Sequence, residues 1–545
     1  MFDIAAFRKG QAKQIADLVG DAADTAASLV PAAAPKPKPS KVAPKASSSH
    51  KKKAAPAKRK ADDADLAPST DLRRSSRRNP ARGAKLELER LEAQEAEERA
   101  RRKHGDRALE AREGGVSDAL GQDSLNDMLD ELARYDIASE AGEPKWTLGT
   151  RPKADPKRLK DQAQPWDLRA IVKIIPDRIY SMTVHPDPAR SIVFAGDKNG
   201  HIACWDATDA GKLRPGKEAK AIRDGDAAKG GEAEDDEDEE DERQWGKWWH
   251  WKAHADSSVS FLKFRPGDRN ALYSSSYDGT LRATHFEHKQ SEEVLDASRW
   301  NRDTLVHSFD FDATGNELWA SDDDGGLLFR DLRTPKDTTK RWEIDAYKVG
   351  CVSLNPANPG LAATAHLKRF MGLWDLSTIR GLPEDTDHRD LREKALVTGF
   401  ETKYACSSAY FDPTGTRLAT TSYDDMIRLW DIEPTTAAKE LKGQDNLEPT
   451  EQIHHNTQVG RYVTVLRAHW SQVPSLPPHL FTGDMHRTVT LYSPGAAKPV
   501  RTFADEALTA VPAVTAAHPT REGRYFGGAA SGKVSFWTEE LPEDV

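Results

Sequence analysis

The chain has 545 residues, 31% of them charged, and its mean hydropathy is −0.73. No apolar run approaches the roughly 18 to 20 residues that a membrane-spanning helix needs, and residues 1–20 lack the apolar core of a signal peptide. These features exclude a helical membrane protein and predict a soluble intracellular one with no membrane partner. The net charge of −9 is a poor guide to partners, because residues 232–242 alone carry ten carboxylates.

Residues 1–163 are predicted to be a basic and charged region that is largely disordered. Residues 31–60 contain six prolines, ten Lys or Arg and no acidic residue, so they repel one another and have no apolar face to bury. Two basic clusters there resemble a bipartite nuclear import signal, and the alternative is a generic phosphate-binding tail. The six basic residues are Lys51, Lys52, Lys53, Lys58, Arg59 and Lys60. Residues 85–103 are predicted to form a solvated, charged helix.

From residue 164 onward, strand-like runs and turn signals recur to residue 545. The stretch SYDDMIRLWD at 422–431 alternates with period two after a tight turn, as a half-buried β-strand does. Six further copies of this stretch recur, several at intervals close to the roughly 40 to 45 residues of a four-stranded propeller blade. The copies lie at 196–206, 276–285, 321–331, 365–375, 483–493 and 528–538. An all-β, seven-bladed WD-repeat β-propeller is therefore predicted over 164–545, with six or eight blades as the alternatives.

Two features of this propeller can be anticipated from the sequence. Little chain follows the last copy, so the last blade lacks an outer strand, and AIVKII at 170–175 is placed to supply it and close the ring. An acidic loop at 208–245 interrupts the first blade. The tryptophan-rich stretch at 244–254 follows this loop. Its tryptophans are predicted to pack on the side of the propeller, and the alternative is an exposed histone-binding or DNA-mimicking loop.

The sequence carries no pattern of catalytic residues. A nucleophile elbow, a phosphate-binding loop and an HExxH motif are all missing, so no enzymatic activity and no cofactor are predicted. His250, His254, His454 and His455 form the densest histidine clusters, but they lack cysteines or carboxylates at ligand spacing, and no metal site is predicted. The three cysteines lie in apolar runs and are predicted to be buried thiols.

Propellers commonly bind partners through the narrow face, which carries the turns between second and third strands and the connections into the inner strands. Basic residues fall at these positions in several blades, and together they predict a patch that contacts DNA phosphates. They are Arg178, Lys198, Lys348, Lys368, Arg369, Lys403, His486, Arg487 and Lys533. Tyr180, Tyr277 and Phe370 are predicted to stack on an exposed base. The alternative is ordinary surface charge, since Asp323 and Asp424 share this rim.

Several stretches carry a specific resemblance to a known family. They are PDRIYSMTVHP at 176–186, SYDGTLRATHFE at 276–287, FDATGNELWASDDDGGLLFRDLR at 311–333, TGDMHRTVTLYS at 482–493 and LRRSSR at 72–77. Together they resemble the fungal DNA damage-binding WD-repeat family, also called changed-mutation-rate proteins, whose animal relatives include WD-repeat protein seventy-six. The resemblance covers roughly residues 165–538.

The resemblance implies a nuclear, chromatin-associated protein that prefers ultraviolet-damaged DNA and acts in genome maintenance. We expect the protein to be a monomer. The alternative is a scaffold that binds histones or repair and replication factors, with DNA contacted only by the tail. Relatives that recruit a cullin-4 ligase adaptor carry a Trp-Asp-x-Arg box at the end of a blade. Here Asp331 and Arg333 keep two positions of that box without its tryptophan, whereas Trp166–Arg169 matches it literally but precedes the first blade.

Overall fold

The computed structural model describes residues 106–109, 122–134, 145–210, 246–433, 447–460 and 463–539. Within these ranges the chain forms seven antiparallel sheets of four strands, one of which gains a fifth. The inner strands of successive sheets contact one another around a central channel. The predicted seven-bladed β-propeller is confirmed.

Each blade is written from its inner to its outer strand. Blade 1 consists of Ile179–Val184, Ile192–Asp197, His201–Asp206 and Lys247–Lys252, and blade 2 of Val259–Arg265, Asp268–Ser276, Thr280–His285 and Gln290–Asp296. Blade 3 consists of Val306–Phe311, Glu317–Asp322, Gly326–Asp331 and Lys340–Glu343, and blade 4 of Val349–Leu354, Leu361–His366, Phe370–Asp375 and Leu396–Glu401. Blade 5 consists of Cys406–Phe411, Arg417–Ser422, Met426–Asp431 and Glu451–His454, and blade 6 of His469–Trp470, Leu480–Asp484, Thr488–Tyr492 and Arg501–Phe503.

Blade 7 joins the two ends of the propeller. Its first three strands are Val514–Ala517, Tyr525–Gly528 and Lys533–Thr538, and its outer strand is Asp167–Lys173 from the other end of the domain. Asp167 pairs with Thr538 and Lys173 with Lys533, in antiparallel register. This confirms the predicted closure of the ring, with the closing strand starting three residues earlier than expected. The closing strand covers the outer edge of the Lys533–Thr538 strand, at which other strands could otherwise add.

In the part of the chain that the structure describes, four short helices accompany the strands: α1 at Gln122–Ala133, α2 at Pro156–Gln162, α3 at Leu376–Gly381 and α4 at His388–Ala395. Two 3₁₀ turns lie at Ala297–Arg299 and Lys336–Thr338. Helices α3 and α4 connect the third and outer strands of blade 4. Among the described residues, no helix combines the length and the apolar character needed to cross a membrane.

Indole rings fill the spaces between the blades. Trp205, Trp374, Trp430 and Trp537 occupy the same position on four third strands, and each is at most 2% exposed. Blade 3 has Arg330 at this position, and its indoles come from Trp319 and Trp342, whose ring centroids are 6.0 Å apart. The tryptophan-rich stretch forms the outer strand of blade 1, where Trp249 and Trp251 are buried. The prediction that these tryptophans pack on the propeller's side is confirmed for the described ones.

The folded unit extends to the N-terminal side of residue 164, the predicted boundary. Arg107–Ala108 adds a fifth strand to the outer edge of blade 2. In helix α1, apolar side chains recur at helical spacing and bury one face against Trp249 and Trp251. Helix α2 begins at the Asp155 N-cap, whose carboxylate accepts a hydrogen bond from the Arg158 amide at 2.9 Å. The predicted helix at 85–103 lies outside the described residues, as do residues 211–245 of the acidic loop.

Leu129→Ala is expected to lower the free energy of unfolding by about 2 to 3 kcal/mol, because Leu129 of α1 is fully buried against the propeller. Leu91→Ala, in the predicted solvated helix, is the matched control and should leave stability unchanged. Urea unfolding of both variants followed by tryptophan fluorescence measures the difference. Equal stability of the two variants would show that α1 is not part of the folded unit.

Candidate nucleic-acid interface on the narrow face

Backbone hydrogen bonds tie the two kinds of predicted narrow-face position together. The Lys198 amide, in the turn after the second strand of blade 1, donates to the Arg178 carbonyl at 3.0 Å. In blade 4 the Leu367 amide donates in the same way to the Lys348 carbonyl at 3.1 Å. Blades 2, 3 and 5 repeat this bond. The predicted turn cations and the predicted cations of the preceding connections therefore lie side by side on one face.

Two of the predicted arginines hold a backbone conformation that usually requires glycine. The turn between second and third strands has a residue with positive φ, which is glycine in blades 1, 2, 3 and 7. In blades 4, 5 and 6 the residue is Arg369, Asp425 or Arg487, with φ of 60°, 60° and 65°. A non-glycine residue in this region costs roughly 1 to 2 kcal/mol. Arg369 and Arg487 are exposed, so packing does not explain why these two residues occupy strained positions.

Blade 4 brings exposed apolar and cationic side chains together. Tyr347 is 49% exposed and Leu367 is 42% exposed, and these are two of the three large hydrophobic residues that stand out among the described residues. The Lys368 ammonium lies 4.5 Å from the centre of the Tyr347 ring, and Arg369 follows on the same turn. We call Tyr347, Leu367, Lys368 and Arg369 the blade-4 patch.

The predicted stacking residues occupy different surroundings. Phe370 is only 6% exposed and lies under the Arg392 guanidinium at 4.1 Å, so the prediction that it offers a free stacking surface is wrong. Its side chain points into the blade because it begins the third strand rather than belonging to the turn. Tyr180 and Tyr277 are half-buried and line the central channel, and their ring centres are 6.2 Å apart. Among the residues that the structure describes on this face, the exposed ring is that of Tyr347, which precedes its blade in a connection that follows no repeat pattern.

The remaining predicted cations are spread around the rim. Their exposure divides them into two groups. Lys198, Lys403 and His486 are exposed, whereas Arg178, Lys348 and Lys533 are half-buried. His486 Nδ1 lies 2.5 Å from the Asp484 carboxylate.

The acidic residues of the rim are engaged by their own blades. Asp424 forms an ion pair with Arg428 at 2.7 Å. The Asp323 carboxylate accepts a hydrogen bond from the Leu305 amide at 2.6 Å, and burial raises its pKa to about 6. Their charges therefore oppose the exposed cations less than their positions in the sequence suggested.

The pKa of Lys348 predicts a pH dependence of stability. Burial and then the Arg467 guanidinium lower this pKa to about 8, whereas Asp323 opposes the shift. His307 also faces Lys348, and it is neutral because burial holds the pKa of His307 well below its ordinary value. The unfolded chain therefore binds more protons than the folded chain between about pH 8 and 10.5, and stability rises with pH there. Wild type should gain stability relative to Lys348→Met between about pH 7 and 10 in urea unfolding. A constant difference across this range would contradict the placement of Lys348.

The predicted adaptor-box residues lie on the opposite face. Asp331 ends the third strand of blade 3, and the exposed Arg333 side chain binds its carboxylate through Nε at 2.9 Å and Nη2 at 2.8 Å. Trp166, by contrast, is buried with its ring centre 5.4 Å from that of Tyr525, and residues 167–169 belong to the closing strand. The literal Trp-Asp-Leu-Arg match is therefore part of the ring closure.

Other predicted sites have simpler outcomes. Cys204, Cys351 and Cys406 are buried free thiols, as predicted. His254 lies 3.2 Å from the Asp278 carboxylate and 2.8 Å from the Ser274 hydroxyl, within a buried network. The six residues of the predicted import signal lie outside the described residues.

Seven blades, buried tryptophans at the ends of third strands and buried His–Asp contacts define a WD-repeat β-propeller. Residues 395–431 match the family model described as WD40: WD domain, G-beta repeat. A protein of Cryptococcus neoformans var. neoformans serotype D named DNA damage-binding protein CMR1 is 32% identical, over 70% of this chain and 71% of its own length. Proteins of the same name match from Phaeosphaeria nodorum, at 34% over 67% and 66%, and from Mycosarcoma maydis, at 27% over 84% and 86%. The chain belongs to this fungal family of WD-repeat proteins.

Proposed function

We propose that this chain is a nuclear, chromatin-associated protein that binds DNA through its narrow face, prefers ultraviolet-damaged duplex and acts in the DNA damage response. The observation that carries the proposal is the blade-4 patch, where exposed cations flank exposed apolar side chains. The names of the relatives support DNA damage as the setting. In this proposal the propeller is a binding module and not an enzyme.

The two kinds of side chain in the patch suit two parts of damaged DNA. Lys368 and Arg369, with Arg487 two blades away, are placed to contact phosphates, which position a protein on DNA without reading its sequence. Tyr347 and Leu367 are of the kind that inserts between base steps, at an unstacking cost of a few kcal/mol. A lesion that already weakens stacking lowers this cost, so damaged sites bind more tightly.

Competition binding of the full chain tests the damage preference. Labelled ultraviolet-irradiated duplex is displaced by unlabelled irradiated or intact duplex of the same sequence at fixed salt. We expect the irradiated competitor to be effective at roughly tenfold lower concentration, equivalent to about 1.4 kcal/mol. In the double variant Tyr347→Ala with Leu367→Ala, irradiated and intact competitors should displace the label at the same concentration, and affinity for the intact duplex should be unchanged. Equal competition by the two duplexes against wild type would remove the damage preference from the proposal.

A scaffold function is the second candidate, and the exposed Arg333 on the opposite face is the observation that favours it. Its partners would be histones, repair or replication factors, or a cullin-4 ligase adaptor. Arg333→Ala is expected to weaken adaptor binding in a pull-down with purified proteins and to leave DNA binding unchanged. Adaptor binding that survives this substitution would exclude Asp331 and Arg333 as the contact.

Nuclear import is proposed to depend on the two basic clusters. Replacing Lys51, Lys52 and Lys53 together with Lys58, Arg59 and Lys60 by alanine should shift a fluorescent fusion from the nucleus to the cytoplasm. Replacing the basic residues of 71–83 is the matched control and should leave import intact. Nuclear accumulation of the first variant would contradict the assignment.

A further inference from the structure

A cavity of about 240 Å³ opens in the central channel, and the charged side chains that line it are both arginines. Arg178 and Arg467 line it together with Tyr180, Tyr277 and His469. The segment carrying Arg467 crosses to the other side of the ring, where the Thr464 hydroxyl donates to the Ile179 carbonyl of blade 1 at 2.7 Å. The cavity is therefore enclosed by several blades and by this crossing segment.

Neither arginine forms an ion pair with a carboxylate of the described residues. Arg178 has its guanidinium carbon 6.0 Å from the centre of the Tyr180 ring. The electrostatic neighbours of Arg467 include Lys348, a second cation at pH 7, and Tyr277, Tyr410 and Cys351, which are neutral because burial raises their pKa values. An enclosed guanidinium without an opposite charge is costly, so the channel attracts an anion.

One buried polar atom near Arg467, Nε2 of His307, has no hydrogen-bond partner among the described residues, and His307 is only 2% exposed. The Tyr410 hydroxyl lies beside the Arg467 guanidinium and shares a hydrogen bond with it. The His307 ring stands 4.8 Å from that of Tyr277, which lines the cavity. Burial lowers the pKa of His307 and raises that of Tyr277 to about 12, so both are neutral groups able to donate a hydrogen bond at pH 7.

We propose that the central channel binds a phosphate group between Arg178 and Arg467, with neutral tyrosine and histidine donors completing its coordination. Phosphate suits two guanidinium groups better than a single carboxylate does, because it offers more charge and more acceptor atoms. The cavity is smaller than the roughly 300 to 1,000 Å³ of drug-sized ligand sites, which fits a small group. The phosphate belongs either to the backbone of bound DNA or to free phosphate, and the inference goes beyond the proposed damage recognition.

Thermal unfolding of the full chain in inorganic phosphate or in chloride of matched ionic strength tests this site. We expect millimolar phosphate to raise the wild-type Tm by about 2 °C or more. Arg467→Met should lose this response, and its Tm in chloride should equal or exceed that of wild type because an uncompensated cation has been removed. Arg178→Met should lose the response as well, which keeps the test decisive if one variant fails to fold. Arg389→Met, at an exposed arginine of helix α4, is the control for general salt effects and should respond as wild type does.

A phosphate response that is equal in wild type, Arg467→Met and Arg178→Met, or that is missing from wild type, would overturn the site. Duplex affinity of Arg467→Met then assigns the source of the phosphate. If Arg467→Met loses both the Tm response to phosphate and duplex affinity, the phosphate belongs to DNA. If it loses the Tm response alone, the site binds free phosphate. If no variant and no wild-type protein binds DNA, the proposed function fails while an Arg467-dependent phosphate response still supports the site.

Discussion

Trp374→Ala is expected to lower the free energy of unfolding by about 3 to 5 kcal/mol, the usual range when a buried indole is removed. Trp374 is fully buried, and its indole Nε1 donates to the Thr364 hydroxyl at 2.7 Å. That hydroxyl lies 2.7 Å from His366 Nε2, and His366 Nδ1 lies 2.8 Å from the Asp345 carboxylate. The substitution therefore leaves both a cavity and an interrupted polar network.

Trp374→Phe separates these two contributions. It keeps most of the packing but removes the indole donor, and we expect a loss of about 1 to 3 kcal/mol. Urea unfolding of wild type and both variants gives the comparison. A loss below about 1 kcal/mol for Trp374→Ala would contradict the role of this network in holding blade 4.

The network also connects stability to the narrow face. The Asp345 carboxylate accepts a hydrogen bond from the Tyr347 amide at 3.2 Å, and so fixes the connection that carries Tyr347 and Lys348. The side chains proposed to contact DNA in blade 4 are thus positioned by a buried tryptophan on the third strand of the same blade.

The double substitution Arg369→Gly with Arg487→Gly is expected to weaken DNA binding without destabilising the protein. Each glycine removes a cation and relieves a strained backbone position, so the free energy of unfolding should stay constant or rise by up to about 1 kcal/mol per site. The log–log salt dependence of DNA affinity should become shallower by roughly 2, about 0.9 for each lost phosphate contact. At low salt we expect roughly a tenfold loss of affinity.

Asp425→Gly is the matched control for this pair, because Asp425 holds the same backbone conformation in blade 5 with the opposite charge. DNA affinity of this variant should be unchanged or higher. Its stability should fall, since Asp425 accepts hydrogen bonds from the Thr457 amide at 3.0 Å and from Gln458 at 2.9 Å. An unaltered salt dependence in the double variant would remove Arg369 and Arg487 from the DNA contact.

The strand pattern made most of the fold predictable, because each copy repeats the same alternation of buried and exposed residues. The closing strand was predictable for the same reason, since the last copy needed a partner. Blade 3 was predicted from its copy at 321–331, but the source of its indoles was not, because Arg330 replaces the repeated tryptophan and Trp319 and Trp342 lie on other strands. The docking of α1 was missed, although Leu125, Met128, Leu129 and Leu132 follow helical spacing, because the surrounding region was judged by its charge.

The candidate site was predictable where it follows the repeat and where a cation directly precedes a blade. Arg369 and Arg487 occupy a fixed position of the turn between second and third strands, which the aligned copies identify. Tyr347 and Arg467 lie in connections between blades, where no register relates one copy to another. Their importance depends on exposure and enclosure, which only the three-dimensional arrangement shows.

The most direct test of the account is DNA binding by a chain lacking residues 1–84, which removes both basic runs and keeps every residue the structure describes. Affinity for matched irradiated and intact duplexes is measured across a salt titration. The account predicts that this chain binds both duplexes with a salt-dependent affinity and binds the irradiated duplex more tightly at every salt concentration. Loss of all DNA binding on removing residues 1–84 would contradict it, and would leave the propeller as a platform for binding proteins.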